Sequence, residues 1–222
     1  VWIGTDTESN VALAARARLK LQSVSVNGPR GAYEYFALSA VTEAAKLTPP
    51  LTLAAAITRV LNRVDLATGS VSTFIANASG APSSQDVATV DAVLQANCVP
   101  LGITATTIAA SAVNIAAVFT IYLPAAYDTA ANEALFATAV QDYFQALPIG
   151  GLSDPAAAYT NIVPTVDVIG ALYETAKANS ITIDNVTGTL NGSSYVSLPV
   201  SISVASVGVL QPAAPTITLV PT

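Results

Sequence analysis

Ile57-Thr-Arg-Val-Leu-Asn-Arg-Val64, Val71-Ser-Thr-Phe-Ile-Ala76 and, beyond Ser79-Gly-Ala-Pro82, Ser83-Ser-Gln-Asp86 decide how this chain is organised. The first two runs are rich in β-branched residues and are joined through Ala67-Thr68-Gly69, whose glycine can take the positive φ of a hairpin turn. Ser83 or Ser84 then caps a helix to about Asn97, and Ser83-x-x-Asp86 is a capping box with a shortened acid. A strand near Ile103 to Ile108 completes a ββαβ unit. Cys98 falls where a helix phased on Val87, Val90 and Leu94 next turns inward, which predicts a buried small hydrophobe. As the sole cysteine it excludes an internal disulfide framework.

Upstream, the residues read as a helical hairpin. Asp6, Thr7 and Glu8 supply capping oxygens and negative charge to a helix from about Glu8 to Ser23, with Leu13, Ala17 and Leu21 as its apolar stripe. After Gly28-Pro29-Arg30-Gly31 a second helix is expected from Ala32 to Lys46, with Tyr33, Ala37, Ala40 and Ala44 at helical spacing, closed by Pro49-Pro50.

Downstream, Val113, Ile115, Ala117, Phe119, Ile121 and Leu123 alternate with polar positions that include Asn114, Thr120 and Tyr122, so a strand is predicted from Val113 to Leu123. The uncharged run Leu101 to Leu123 is long enough to span a bilayer, yet its Thr, Ser and Asn content and the lack of flanking Lys or Arg argue against a membrane span. Asp128 or Thr129 caps a helix whose stripe is Phe136, Val140, Tyr143 and Leu147, with Phe144 beside it, stopped by Pro148 and Gly150-Gly151. A helix near Thr165 to Ala178 precedes strands at Ile181 to Leu190 and Val196 to Val204. In the last, Val196, Leu198, Val200, Ile202 and Val204 alternate with serines, and Pro199 marks an edge strand. The expected fold class is α+β: a helical hairpin over residues 1–50, a ββαβ unit over 51–110, a second α+β unit over 111–210 and a Pro-rich tail over 211–222.

In order along the chain, Gly4-Thr-Asp-Thr-Glu-Ser9, Ala14-Ala-Arg-Ala-Arg18, Asn27-Gly-Pro-Arg-Gly31 and Ala32-Tyr-Glu-Tyr-Phe-Ala-Leu-Ser-Ala40 resemble the opening of the Baseplate J-like family of phage tail proteins. The helix from Ala134-Leu135 to Pro148-Ile-Gly-Gly151 and the close from Val186 through Val196-Ser-Leu-Pro-Val200 to Val209 extend the likeness over nearly the whole chain. The resemblance implies a structural wedge subunit of a contractile-tail baseplate, or of a related contractile injection machine, assembled in the host cytoplasm. Its partners would be its own copies, linked in a ring around the hub, and other baseplate proteins. Family members carry a further N-terminal region ahead of the Thr-Asp-x-Glu-Ser start. Consistent with that, Val1-Trp-Ile-Gly4 has neither Met nor a basic leader and reads as the interior of a longer chain.

Composition agrees with an architectural part. Of 222 residues 52% are apolar and only 10% charged, against about 25% charged in ordinary globular chains. A surface so poor in charge is weakly protected against association. Up to Arg63 seven basic residues outnumber four acidic ones, a net of +3; beyond it Lys177 stands against ten acids, a net of −9. Such a chain can attract its own copies head to tail. Its overall acidity argues against a nucleic-acid partner. Arg16, Arg18 and Arg30 on the helical hairpin are the candidate contact residues.

No catalytic apparatus is expected, nor a cofactor, metal or small-molecule substrate. The chain has no histidine, which removes the commonest general base and metal ligand. No Ser-x-x-Lys occurs around Lys20, Lys46 or Lys177, and Gly28-Pro-Arg-Gly31 lacks the Lys-Ser/Thr continuation of a phosphate loop. Asp86 with Asp91 and Asp167 with Glu174 are the carboxylate pairs to weigh for hydrolysis, but both fall on helices whose other faces are apolar, so solvated faces are expected. A second functional reading, a surface or secreted module binding carbohydrate or a receptor, draws on the Ser/Thr-rich strands and needs exposed aromatics. Trp2 is the one tryptophan it could use.

Overall fold

The computed structural model describes residues 10–23, 30–65, 68–150, 152–154, 159–197, 208–211 and 214–222. The fold is α+β, and the chain divides into two compact units: residues 1–77 with 82–109, and residues 78–81 with 110–222.

In the first unit, helix α1 (Asn10–Ser23) packs against α2 (Arg30–Leu38), and α2 packs in turn on the sheet. The expected second helix is broken: α2 ends at Leu38 and α3 (Ala40–Ala44) follows. At the break the Ser39 amide and hydroxyl both donate to the Tyr35 carbonyl, at 2.9 and 2.7 Å. The predicted stripe still faces inward, with Tyr33, Ala37, Ala40 and Ala44 all buried. Strands β1 (Ile57–Asp65) and β2 (Ser70–Asn77) form the hairpin, with Gly69 at φ 65, and helix α4 (Ser84–Asn97) leads to β3 (Thr104–Ala109), which pairs parallel to β2. The hairpin helices and the ββαβ element thus share one core, in which α2, α3 and α4 cover Ile57, Val71 and Ile75. A boundary at residue 50 is not a structural one. Cys98 lies in this core as expected.

The second unit begins with β4 (Ser111–Asn114) and β5 (Ala117–Leu123), the two halves of the single strand expected over 113–123. The interruption has a cause: Asn191, at φ 52 after β8 (Asn185–Leu190), accepts from the Ala116 amide at 2.8 Å through its side chain and donates its own amide to the Ala116 carbonyl at 2.9 Å. Inward alternation survives the break, since Ile115, Ala117, Phe119, Ile121 and Leu123 are all buried. Helix α5 (Ala130–Ala146) is capped by Thr129, whose hydroxyl accepts the Asn132 amide, and ends where Leu147 turns extended ahead of Pro148. Phe144 belongs to the buried face of α5 with Phe136 and Val140, whereas Tyr143 is half-buried.

Strands β6 (Leu152–Asp154) and β7 (Tyr159–Pro164), absent from the sequence reading, join β9 (Tyr195–Ser197) in a small antiparallel sheet with β9 at its edge. Helix α6 (Thr165–Ala178) matches its expected span. The strand expected from Ile181 shortens to β8, because Ser180 at φ 56 and the Ile181 amide bonded to the Ala176 carbonyl spend residues 179–181 on closing the helix. The strand expected over 196–204 is described only as far as Ser197; the rest, with its inward alternation, lies outside the described residues.

The Pro-rich tail over 211–222 belongs to the second unit. Residues 208–211 form β10 (Gly208–Gln211), parallel to β4, and residues 216–221 form β11 (Thr216–Pro221), parallel to β5, with Ile217 buried. The sheet order β11-β5-β8 turns one apolar face to α5 and α6, and Phe119, Phe136, Leu172 and Leu190 fill that space. On β8 the residue opposite Phe119 is Gly188, and a Cβ there would collide with the Phe119 ring and the Val118 carbonyl, so the ring's seat requires glycine.

Candidate interaction surface

The three arginines singled out from sequence do not form one patch. Arg16 and Lys20, one turn apart, share the side of α1 that meets α2. Lys20 sits 4.6 Å from the centre of the Tyr35 ring, and Arg16 lines a cavity of about 240 Å³ with Tyr35, Leu38 and Ser39. Arg18, two residues from each, lies on the opposite side of the helix and is exposed. Arg30 opens α2; its side chain is exposed and its carbonyl accepts from Asn62 Nδ2 at 3.1 Å.

The stripe expected to anchor α1 faces outward. Leu13 is 47% and Leu21 75% exposed, with Ala17 exposed between them. Spacing alone showed that these residues share a face but not which way the face points. Contact with α2 runs through the flank that carries Arg16 and Lys20, with Leu13, seven residues before Lys20, at its edge.

Other cations of the basic front are engaged within the fold. Arg59 is buried, donates to the Asn77 carbonyl at 2.6 Å, and has its pKa lowered by that burial. Lys46 pairs with Glu43 at 2.8 Å.

The carboxylate pairs divide as well. Asp86 is not on a solvated face: it is buried, accepts the Ala54 amide at 2.7 Å and a hydrogen bond from the Ser83 hydroxyl at 2.9 Å, while that hydroxyl accepts the Asp86 amide. Asp91 accepts from the amide and hydroxyl of Thr107, at 3.1 and 2.8 Å. Both acids tie α4 to neighbouring segments, a role that the apolar face of α4 does not advertise. Asp167 and Glu174 are exposed on α6, as expected.

The Cys98 thiol donates to the Leu94 carbonyl and is pushed up to about 12 by burial, which leaves negligible thiolate at neutral pH. Burial first and the neighbouring Cys98 second also raise Tyr33. Among the described residues no group of three or more Cys, Asp or Glu is placed to hold a metal ion, and no helix is long and apolar enough to cross a membrane. Tyr173 on α6 is 40% exposed. No protein-family model matches the chain, and no curated protein matches it in sequence.

Proposed function

We propose that this chain is a structural subunit of a contractile-tail baseplate or a related injection machine, a wedge part that works through contacts with its own copies and with other baseplate proteins. The observation that carries the reading is α1: it is held on Tyr35 through Lys20, and it presents Ala17, Arg18 and Leu21 outward, with Leu13 at the edge of the contact. An apolar stripe so placed is a surface for a neighbouring molecule. The low charge content and the ordered run of motifs that resemble the Baseplate J-like family support the same assignment. Its work is mechanical, the holding and pivoting of interfaces, and needs no reacting group. Negative-stain imaging of the parent particle with this subunit tagged tests the reading. Label on the baseplate ring is the expected result; label on another part of the particle, or none on the particle, overturns it.

A further inference from the structure

A second exposed stripe lies on α6. Val166, 67% exposed, Gly170 and Tyr173, 40% exposed, follow one another along one face of that helix. Asp167 and Glu174, seven residues apart and both exposed, run along one flank of the stripe, and Lys177 stands one turn beyond Tyr173. The exposed face of α1 has the same construction with the opposite sign. Leu13 and Leu21 bracket Ala17, and Arg18 flanks them.

The two stripes match in length and relief. Leu13 to Leu21 spans about 12 Å of helix and Val166 to Tyr173 about 10 Å, at about 1.5 Å per residue. Each has its smallest residue in the middle: Ala17 on one, Gly170 on the other, where a Cβ would meet nothing within 4 Å. Small central residues between larger outer ones let two helices approach closely while the outer side chains interlock.

We infer that α1 of one copy docks on α6 of another, with Leu13 and Leu21 straddling Gly170 and Arg18 facing the Asp167–Glu174 flank. The inference rests on the reading of the chain as a self-associating part and names the two surfaces that meet. The occupant is a second copy because both halves of the match, apolar and electrostatic, stand on this one sequence. The first unit balances seven basic against seven acidic residues, and the second sets seven acidic against one basic, so overall charge disfavours contact between two second units and leaves Arg18 with Asp167 and Glu174 to carry the attraction. Each copy gives one face and receives on the other, so two copies that satisfy both contacts mutually close as a two-fold dimer, and copies that satisfy them with different neighbours form a ring or an open chain.

Sedimentation equilibrium of the whole chain tests this with complementary charge swaps. Arg18→Glu alone and the double change Asp167→Lys with Glu174→Lys alone should each raise the dissociation constant by about tenfold or more. An equimolar mixture of the two variants restores every charge pair and should recover association near that of the unchanged protein. Leu21→Gln, which alters no charge on a residue 75% exposed, should weaken association with the melting curve unchanged. A monomer at every concentration, a loss with Arg18→Glu but none with the α6 double change, or a mixture that stays dissociated would each overturn the inference. Because tag position in the particle is read independently, a baseplate label combined with a failed charge swap retires this contact and leaves the functional reading standing.

Discussion

In the first unit the core mixes small residues, Ala32, Ala37, Ala40 and Ala44, with Tyr33, Phe36 and Leu94, and polar side chains make the long-range ties: Asp86 to Ala54, Asn62 to Thr73 and Arg30, Asp91 to Thr107. In the second, Phe119, Phe136, Phe144, Leu123, Leu172 and Leu190 fill the space between sheet and helices. Small side chains bring less dispersion and less apolar area. Directional bonds must then fix which segments meet, and each becomes costly to remove because its partner stays buried. Bulky side chains fix the second unit by volume, so its weak points are holes and overcrowding.

The largest effect that separates the two is expected from Phe136→Ala, a loss of about 3–5 kcal/mol. Denaturant unfolding with hydrogen exchange should confine the loss to α5, α6 and the β5 sheet. The labelling rate of the buried Cys98 thiol reports on the first unit and should not change. Parallel acceleration of that labelling would mean that the units open together, and the contrast would fail.

Asp86→Ala should cost about 2–3 kcal/mol, since a charged acceptor and part of a helix cap go together and the Ala54 amide loses its partner. Here Cys98 labelling should accelerate while exchange in α5 holds. An effect under about 0.5 kcal/mol would show that polar ties do not hold the first unit.

Gly188→Ala should cost about 1–3 kcal/mol by overcrowding Phe119. Paired with Phe119→Val, the loss should be less than the sum of the separate changes. Strict additivity in that cycle would remove the ring as the reason for the glycine.

The smallest effect concerns Tyr143, whose buried hydroxyl oxygen has no hydrogen-bond partner. Burial, with Asp167 as the lesser cause, raises it from 10.0 to about 12. The unfolded chain therefore loses this proton first. Tyr143's contribution is whole below pH 10 and drains away as pH climbs toward 12. Tyr143→Phe should flatten that part of the alkaline unfolding curve and shift stability at neutral pH by less than about 1 kcal/mol. An unchanged alkaline curve would count against the burial.

Local signals made most of the fold legible. Gly69, the Ser83-Asp86 cap, the end of α5 at Pro148 and the full span of α6 each rest on a neighbour within four residues in sequence, and all were readable. Long-range events were not. The break in the 113–123 strand depends on Asn191, some 75 residues away, and the role of Asp86 on Ala54, 32 residues away. No strand was read in the Pro-rich tail, although Thr216-Ile-Thr-Leu-Val220 alternates like one between its prolines. Of the candidate surface, the helix and its arginines could be seen. The outward turn of Leu13 and Leu21 could not, because periodicity is blind to direction.

The side-by-side run of β10–β11 along β4–β5 has a consequence for synthesis. Translation at about 5–20 residues per second takes roughly 5–20 s to cover the hundred or so residues between β5 and its parallel partner. Residues 1–109 emerge before that interval begins and can fold during it, whereas Phe119, Ile121 and Leu123 wait with both strand edges open until β8 emerges and with one open until β11 does. Nascent chains of this protein are therefore most dependent on a shielding chaperone while their second half is still being made.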